Sequence, residues 1–506
     1  MKKFLVFLIS IVVVVSFGLV TYYFLRNDEV INFKTTEIYC NVGDIVTIND
    51  LGKTVKKQSN KTKYNYNAAG DDVVSAIKYN DGKGYYVAQK GGDYEVVIST
   101  TNKKFKEFKF TVHIGDGSES NPYFVKDEQS LNKIGNVYSL SSNYVLTADV
   151  LLSNDFKPIG YDAKTSSWLG FSGVFNGNNH TITGSTYNFE TENAGLFYSL
   201  NGASIKNLTL KSFKISGKYS TVGVLAGSAN NSTVSNVSVD NSTITNTQVN
   251  GIAGGLIGTV VGNASSITTC SVNNIELLSP DTVSATVTFG GFVGKLNQGS
   301  IRGCLSTGNI NVANDASKVA GFVGEMVISS SYGTIQQSYS VVSCEMVNYA
   351  GFVHTISSTG DLTGVNYLKY LIGNYAVVGA HDAVKEKPAI ITTLYDETKG
   401  VYGIKTYNEA VDMKTASSYV YYAIEGQKEM WDSFIWKIIP GNLPTLYTTN
   451  LTPSAVSSEY FLMDNDKHFG IDTNSFIDFV NTCRTTDGKI KDKYFEIGRA
   501  HVWTPV

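Results

Sequence analysis

The sequence predicts a mainly β protein: a right-handed parallel β-helix of about 30 residues per coil, preceded by a small antiparallel sandwich and one N-terminal transmembrane helix. Three observations carry that prediction. Composition is the first: only 17% of the 506 residues are charged, while 47 Gly, 31 Tyr and 25 Phe stand against 8 Pro. Such a mixture suits short strands with many turns and excludes collagen, long coiled coils and disorder. The second is a pair of short motifs that recur in phase through the middle of the chain, and the third is an uncharged apolar run near its start. The 41 basic and 44 acidic side chains nearly cancel, so no electrostatic footprint for nucleic acid exists and none is expected as a partner.

Residues 1–29 form the first segment. Residues 4–25 contain no charge and as a helix would span about 33 Å, against a hydrocarbon core of about 30 Å. Lys2 and Lys3 precede the run, and Arg26, Asp28 and Glu29 follow it, so the positive-inside rule places the N-terminus inside and residues from about 30 onward outside, as in a single-pass cell-membrane protein. Cleavage after a signal peptide is the alternative, with Ser16 and Gly18 as small residues near the site; the protein would then be secreted. Apolar residues continuing through Leu25 favour the anchor. The first cysteine, Cys40, lies beyond the charged flank, so no lipoprotein cysteine follows the run.

Residues 30–114 alternate in short runs broken by turn signals. Ile45-Val-Thr-Ile48, Val73-Val-Ser-Ala-Ile77, Tyr85-Tyr-Val-Ala88 and residues 94–99 read as strands, and Asp81-Gly82-Lys83-Gly84 supplies a hairpin turn. Phe108, Phe110, Val112 and Ile114 alternate with Lys109, Thr111 and His113, as in a strand with one buried face. The segment resembles a bacterial immunoglobulin-like domain, with Gly92-Asp-Tyr94-Glu-Val96 similar to the tyrosine-corner stretch and Val96 in the place of a disulfide cysteine.

Residues 115–450 follow a turn-rich hinge, Gly115-Asp-Gly-Ser-Glu-Ser-Asn-Pro122. Ala194-Gly195-Leu-Phe, Val222-Gly223-Val-Leu, Gly254-Gly255-Leu-Ile-Gly, Gly290-Gly291-Phe-Val-Gly, Ala320-Gly321-Phe-Val-Gly and Ala350-Gly351-Phe-Val-His form one series. Ile205-Lys-Asn-Leu208, Val234-Ser-Asn-Val237, Ile267-Thr-Thr-Cys270, Ile301-Arg-Gly-Cys304 and Ile335-Gln-Gln-Ser338 form a second, between members of the first. A unit of about thirty residues is too short to bury its own apolar face and must stack on its neighbours, each run about 4.8 Å from its counterpart. Leu256, Phe292, Phe322 and Phe352 are then expected in one column and Ile205, Val234, Ile267, Ile301 and Ile335 in another. Which residue of each Phe-Val pair faces the core is open, because neighbours on a strand point to opposite sides.

These glycine-bracketed units resemble the GLUG-motif repeats of bacterial surface proteins. Asn121-Pro-Tyr123, Leu131, Ile134-Gly135, Tyr144-Val-Leu-Thr-Ala-Asp149 and Pro158-Ile-Gly160 are similar to that family's opening segment. Phe171-Ser-Gly-Val-Phe-Asn-Gly177 with His180-Thr-Ile-Thr-Gly184 resembles its first coil. Trp431, Trp436, Pro440-Gly441 and Leu443-Pro-Thr-Leu446 resemble its closing segment. Two departures, Ala226 before the closing Gly227 and His354 in place of a closing glycine, predict looser coils near the ends. Residues 451–495 read as the start of a further, truncated domain, in which Ser475-Phe-Ile-Asp-Phe-Val480 could open a helix. Ile497-Gly-Arg-Ala-His-Val-Trp-Thr-Pro-Val506 reads as a translated sequencing adapter that also completes the Glu496 codon, with Trp503 from TGA, so residues 496–506 are set aside.

Catalytic chemistry finds little footing. Cys40, Cys270, Cys304, Cys344 and Cys483 form no CxxC, and Cys270 and Cys304, at equivalent repeat positions, read as small buried hydrophobes rather than a disulfide. No His-Glu-x-x-His occurs. That absence matters because GLUG-like repeats also accompany large surface peptidases. Polysaccharide cleavage needs clustered carboxylates, or a carboxylate beside Lys or Arg. Lys206, Lys211, Lys214, Lys218, Asp240, Glu276, Arg302, Glu325 and Glu345 instead fall at unrelated phases and read as solvated loop charges. Asp464-Asn-Asp466 with Gly470 and Asp472 has the wrong spacing for an EF-hand and reads as a turn. No catalytic, cofactor or metal residue is named, no cofactor is expected, and ligand-binding residues are left unassigned. The function expected is a membrane-anchored, extracellular adhesin-like protein recognising a host or environmental glycan or protein. The alternatives are a targeting module of a truncated surface peptidase or polysaccharide-degrading enzyme, and a purely structural stalk.

Overall fold

The computed structural model describes residues 31–32, 35–47, 54–55, 64–68, 78–80, 83–100, 108–279, 286–329, 333–359, 370–386, 403–414, 420–422, 428–431, 435–439, 442–446, 460–464 and 467–471. The chain divides into two compact units, Met1–Leu446 and Tyr447–Val506.

Two small sheets open the first unit. One has the order Glu37–Asn41, Phe108–Gly115, Gly92–Thr100 and Tyr64–Ala68; the other joins Ile45–Thr47, Lys83–Val87 and Lys78–Asn80. Alternation works as expected: Phe110, Val112 and Ile114 are buried along one face of their strand, joined in the core by Ile38, Cys40, Val46 and Val96. Asn80 lies opposite Lys83, the register of a two-residue hairpin loop. The Tyr94 hydroxyl donates to the Gly91 carbonyl at 3.1 Å. One expectation is corrected. The first sheet is mixed, because Glu37–Asn41 runs parallel to Phe108–Gly115; the chain crosses to the other sheet at Ile45–Thr47 before it returns. The expected strand at 73–77 lies outside the described residues.

A β-solenoid of about seven turns, with about 31 residues per turn, follows. Tyr123, Tyr144, Phe175, Ile205, Val234, Ile267, Ile301, Ile335 and Leu371 pair in succession along parallel strands, so the predicted isoleucine column is present and runs further in both directions. These side chains below Tyr123 are all nearly inaccessible to water. Fully burying an aliphatic or aromatic side chain contributes about 1.5–3 kcal/mol, so such columns are the main source of cohesion between coils.

The phenylalanine column is equally regular. Phe292 stacks on Phe322 and Phe322 on Phe352, each with centroids 4.7 Å apart and planes within 2°. That distance equals the spacing of paired strands. Both residues of each Phe-Val pair are buried: Phe292 and Val293, Phe322 and Val323, Phe352 and Val353. The strand alternation is broken because the chain bends at Gly291-Phe292, between Thr288–Gly290 and Val293–Asn297. At the end of each bend the closing glycine presses on the preceding coil. A Cβ on Gly258 would meet Val222 N at 2.7 Å, one on Gly294 the Ala253 carbonyl at 2.7 Å, and one on Gly324 the Phe289 carbonyl at 2.8 Å.

A second recurrent feature fixes the corner between strands. The third residue of each Ile-x-x motif has positive φ: Asn207 55°, Asn236 52°, Thr269 51°, Gly303 62°, Gln337 46°. Asparagine and glycine tolerate this left-handed conformation best, which explains the early Asn-Leu and Asn-Val corners. From Cys270 onward the fourth residue turns inward and accepts a hydrogen bond from the coil before it. Val237 N–H donates to Cys270 Sγ, Cys270 N–H to Cys304 Sγ, Cys304 N–H to Ser338 Oγ and Ser338 N–H to Asn374 Oδ1. Cys270 and Cys304 are therefore free and buried, as expected, and burial first, then the Cys270 thiol, pushes the Cys304 thiol well up.

The two repeat departures resolve differently. Register pairs Gly223 with Gly254 and Ala226 with Ile257, so Val224 occupies the place of Gly255 while Gly227 keeps the closing-glycine role. The coil there is regular, and the expected loosening is not found. At His354 the stacked corner persists, with Phe352 on Phe322 and Val353 opposite Val323, but within one continuous strand, Tyr349–Ser358, whose pairing with Asp382–Glu386 shifts register between Ala350 and Val353.

The closing segment is a strap over the outer face of the last coils. Outward positions pass from Thr209, Ser238 and Ser271 to Leu305, Tyr339 and Tyr375. Trp431, Trp436 and Met413 bury that apolar stretch. The Trp431 indole N–H donates to Gly373 O at 2.7 Å, the Trp436 indole to Gln337 O at 3.0 Å, and Tyr339 Oη to Pro444 O at 2.8 Å. In the second unit, Tyr460–Asp464 and Lys467–Ile471 pair antiparallel with Asp464 opposite Lys467, and residues 465–466 lie outside the described residues. The expected helix at 475–480 and residues 496–506 lie outside the described residues.

The single-pass membrane placement does not stand. Among the described residues no helix is long and apolar enough to cross a membrane, and residues 4–25, on which the expectation rested, lie outside them.

Candidate functional site

Three places present chemistry beyond the repeating coil. The first is a cleft of about 510 Å³ where the opening sheets meet the first coil, lined among others by Tyr39, Asn41, Asp44, Phe124, Asp127 and Lys133. Buried Asn41 clamps the joint, accepting from Phe124 N–H at 2.7 Å and donating to Phe124 O at 2.9 Å. Val42 N–H donates to Gly115 O, and Lys133 pairs with Asp44 at 3.1 Å. Burial alone would lower the Lys133 ammonium, but the Asp44 carboxylate outweighs it and holds the pKa above its ordinary value. Asp127 caps the short helix Glu128–Leu131, accepting from Ser130 N–H and Ser130 Oγ–H. Burial works against its charge, yet these bonds keep its carboxyl below the usual range. Lys133 and Asp44 serve the joint itself, and Asp127 serves the helix beside it.

The second is an aromatic hairpin, Tyr161–Asp162 against Ser167–Trp168, which projects from the first coil. Trp168 stacks on Tyr198 at 4.6 Å and meets the Tyr161 ring edge-on at 5.4 Å. Leu169 beside them is half exposed, and Tyr161 and Trp168 each retain 38% of their surface. Exposed aromatic clusters of this kind are enriched at recognition surfaces.

The third lies on the face carrying the glycine bends. The residues after the closing glycines, Ser228, Thr259, Lys295 and Glu325, share one column that continues through Thr355 and Glu386. Glu325 receives Lys295 at 3.2 Å and Lys318 at 3.0 Å, with its side chain 16% exposed. Burial would raise its carboxyl, but the two lysines outweigh that and lower it. Glu325 is therefore not the solvated loop charge expected of it. Neither lysine was singled out in the sequence, although Gly294-Lys295 and Gly324-Glu325 stand at one phase of the repeat and were legible as a pair.

The other expected loop charges remain apart or pair locally. Lys211 lies beside Asp240 in register, and the Thr243 hydroxyl donates to Glu276 at 3.2 Å. Among the described residues no group of three or more His, Cys, Asp or Glu could hold a metal.

Residues 81–241 match the family model described as the N-terminal region of M26 IgA1-specific metallo-endopeptidases. That stretch runs from the opening sheets into the early coils. Halomucin of Haloquadratum walsbyi is 32% identical over 166 residues, which is 30% of this chain and 2% of that protein, so the chain spans a very small part of its curated relative. Among solved structures, a candidate immunoglobulin A1 protease from Bacteroides ovatus aligns at 15% identity and TM-score 0.40, over 66% of this chain and 94% of that one. An IgA1 protease aligns at 17% identity and TM-score 0.31, over 61% of this chain and 26% of that one.

Proposed function

We propose that this chain is a non-catalytic β-solenoid module of a surface peptidase, related to the N-terminal region of the IgA1-specific metallo-endopeptidases. The observation that carries the reading is the family match over residues 81–241, which spans the junction between sheets and solenoid rather than a stretch of repeats alone. The clamped joint supports it: Asn41 and the Lys133–Asp44 pair fix the sheets to the first coil, as a module that holds something at a set angle requires. In this reading the opening sheets are an immunoglobulin-like spacer, and the coils are GLUG-type and right-handed, as parallel crossovers nearly always are. The module's partner would be a glycan or protein, met at the aromatic hairpin of Tyr161 and Trp168. An adhesin acting alone has no comparable observation in its favour.

The test is the purified chain, supplied with divalent metal and offered extracellular glycoproteins, a peptide library and a polysaccharide panel. The reading expects no cleavage and saturable binding to one partner, weakened at least tenfold by Trp168→Ala. Turnover by the chain itself would overturn the non-catalytic assignment. Absence of binding across the panel would reduce the module to a spacer.

A further inference from the structure

His354 stands where three preceding coils carry a closing glycine, Gly258, Gly294 and Gly324, each too tightly packed for a Cβ. Here the strand Tyr349–Ser358 runs through the corner without interruption, and the imidazole is 2% exposed. Its surroundings fix its tautomer. The Thr355 hydroxyl donates to Glu386 Oε2 at 3.1 Å, so its oxygen is left to accept, and His354 Nδ1 lies 2.9 Å away as the donor. Nε2 is then a bare lone pair, buried without a hydrogen-bond partner. A neutral ring is accommodated. A second proton would place a charged donor in the interior at a nitrogen that makes no hydrogen bond.

The groups around the ring oppose one another. Burial disfavours its charge most; Glu386 and the Asn348 carbonyl favour it, whereas Lys318 and Lys385 oppose it, and the balance lowers the imidazole below its ordinary value. Glu325 lies beside Thr355 on the preceding coil, already engaged by Lys295 and Lys318. The closing coil also carries His381, edge-on to the Tyr349 ring at 5.2 Å. The relay His354–Thr355–Glu386 ties two coils together at the point where their register shifts, Val353 opposite Val384 and Thr355 opposite Glu386.

We propose that His354 is an acid-sensitive latch: neutral, it fastens the strand Asp382–Glu386 to Tyr349–Ser358, and protonated, it releases that closing coil. The sign follows from linkage. A ring that titrates lower when closed than when released binds fewer protons in the closed state, so closure is intact at neutral pH and weakens as pH falls through the imidazole range.

The experiment is hydrogen–deuterium exchange of the full chain between about pH 7.5 and pH 5, corrected for intrinsic exchange. Protection at 382–386 is expected to fall by up to about tenfold per pH unit, the limit for release coupled to one proton, while coils between 204 and 312 stay protected. His354→Gln should flatten that dependence and His381→Gln should leave it. Unchanged wild-type protection, or the same slope in His354→Gln, overturns the latch. Should His354→Gln fail to fold, histidine C2-hydrogen exchange in the unmodified chain reads the ring directly. A midpoint below the ordinary imidazole value supports the latch, and one at or above it overturns it.

Discussion

Replacing Gly294 by alanine adds one methyl group at the closing glycine of a central coil. The structure gives that carbon nowhere to go: it would lie 2.5 Å from Ile252 Cγ2, 2.6 Å from Gly258 O and 2.7 Å from Ala253 O. Two of these three neighbours are carbonyls of the coil below, which cannot swing aside as the end of a side chain would. Relief requires the coils to part by about half an ångström, which strains the parallel ladder and the buried columns beside it. Overpacking of this kind costs about 1–3 kcal/mol, with the upper end expected where backbone is the obstacle. Gly202 provides the control, since its φ is +68° but nothing lies within 4 Å of an added Cβ. Gly202→Ala should incur only the left-handed backbone penalty of about 1 kcal/mol. Urea unfolding followed by circular dichroism measures both, with hydrogen exchange to localise the loss to neighbouring coils. Equal effects for the two substitutions, or a Gly294→Ala cost below about 0.5 kcal/mol, would refute the argument that close backbone approach dictates the glycine spacing.

Thr269 holds φ 51°, a conformation in which a β-branched residue is strained, so Thr269→Asn should stabilise the chain by about 1 kcal/mol in urea melts. Loss of stability there would mean that the Asn236 N–H to Thr269 Oγ1 bond at 3.1 Å outweighs the strain. Trp436→Ala should uncover Tyr339 and release the strap, a loss of about 3–5 kcal/mol confined to the C-terminal coils. Limited proteolysis should then cut within 431–446 while the coils between 174 and 279 stay intact. Glu325 has its folded pKa lowered by its lysines despite burial, so its contribution is present above the ordinary carboxylate pKa and is lost as pH falls through the lower, folded value. Melts from about pH 6 to pH 3 should show a shallower acid loss in Glu325→Gln than in wild type; parallel curves would show that the ion pairs contribute nothing.

Much of the architecture was legible because a solenoid writes its period into the sequence. The isoleucine and phenylalanine columns follow from phase alone: a residue stacks on its counterpart one coil away whatever lies between. The strap's Trp431 and Trp436 were legible only through a family resemblance; that Leu305, Tyr339 and Tyr375 break a column of hydroxyl residues and need covering follows from the register. Candidate sites were less accessible. Lys295 shares the repeat phase of Glu325, whereas Lys318 belongs to the first strand of the bend, and only folding brings it to the same carboxylate. The aromatic hairpin formed by Tyr161–Asp162 and Ser167–Trp168 lies outside the repeat and has no period to betray it.

By itself, then, the sequence determined the β class, the repeat length and the stacked columns, all of which depend on local conformation and on similar neighbours at a fixed spacing. Only the tertiary structure decided how each glycine motif is used. Alternation forbids both members of a Phe-Val pair from facing one core, and the bend at Gly291-Phe292 overrides it by turning the chain between them. Tertiary packing likewise made Val224 equivalent to Gly255 and gave a buried histidine the place of a glycine. Register between coils is set by the sum of many backbone and side-chain contacts, and a motif read in isolation cannot report that sum.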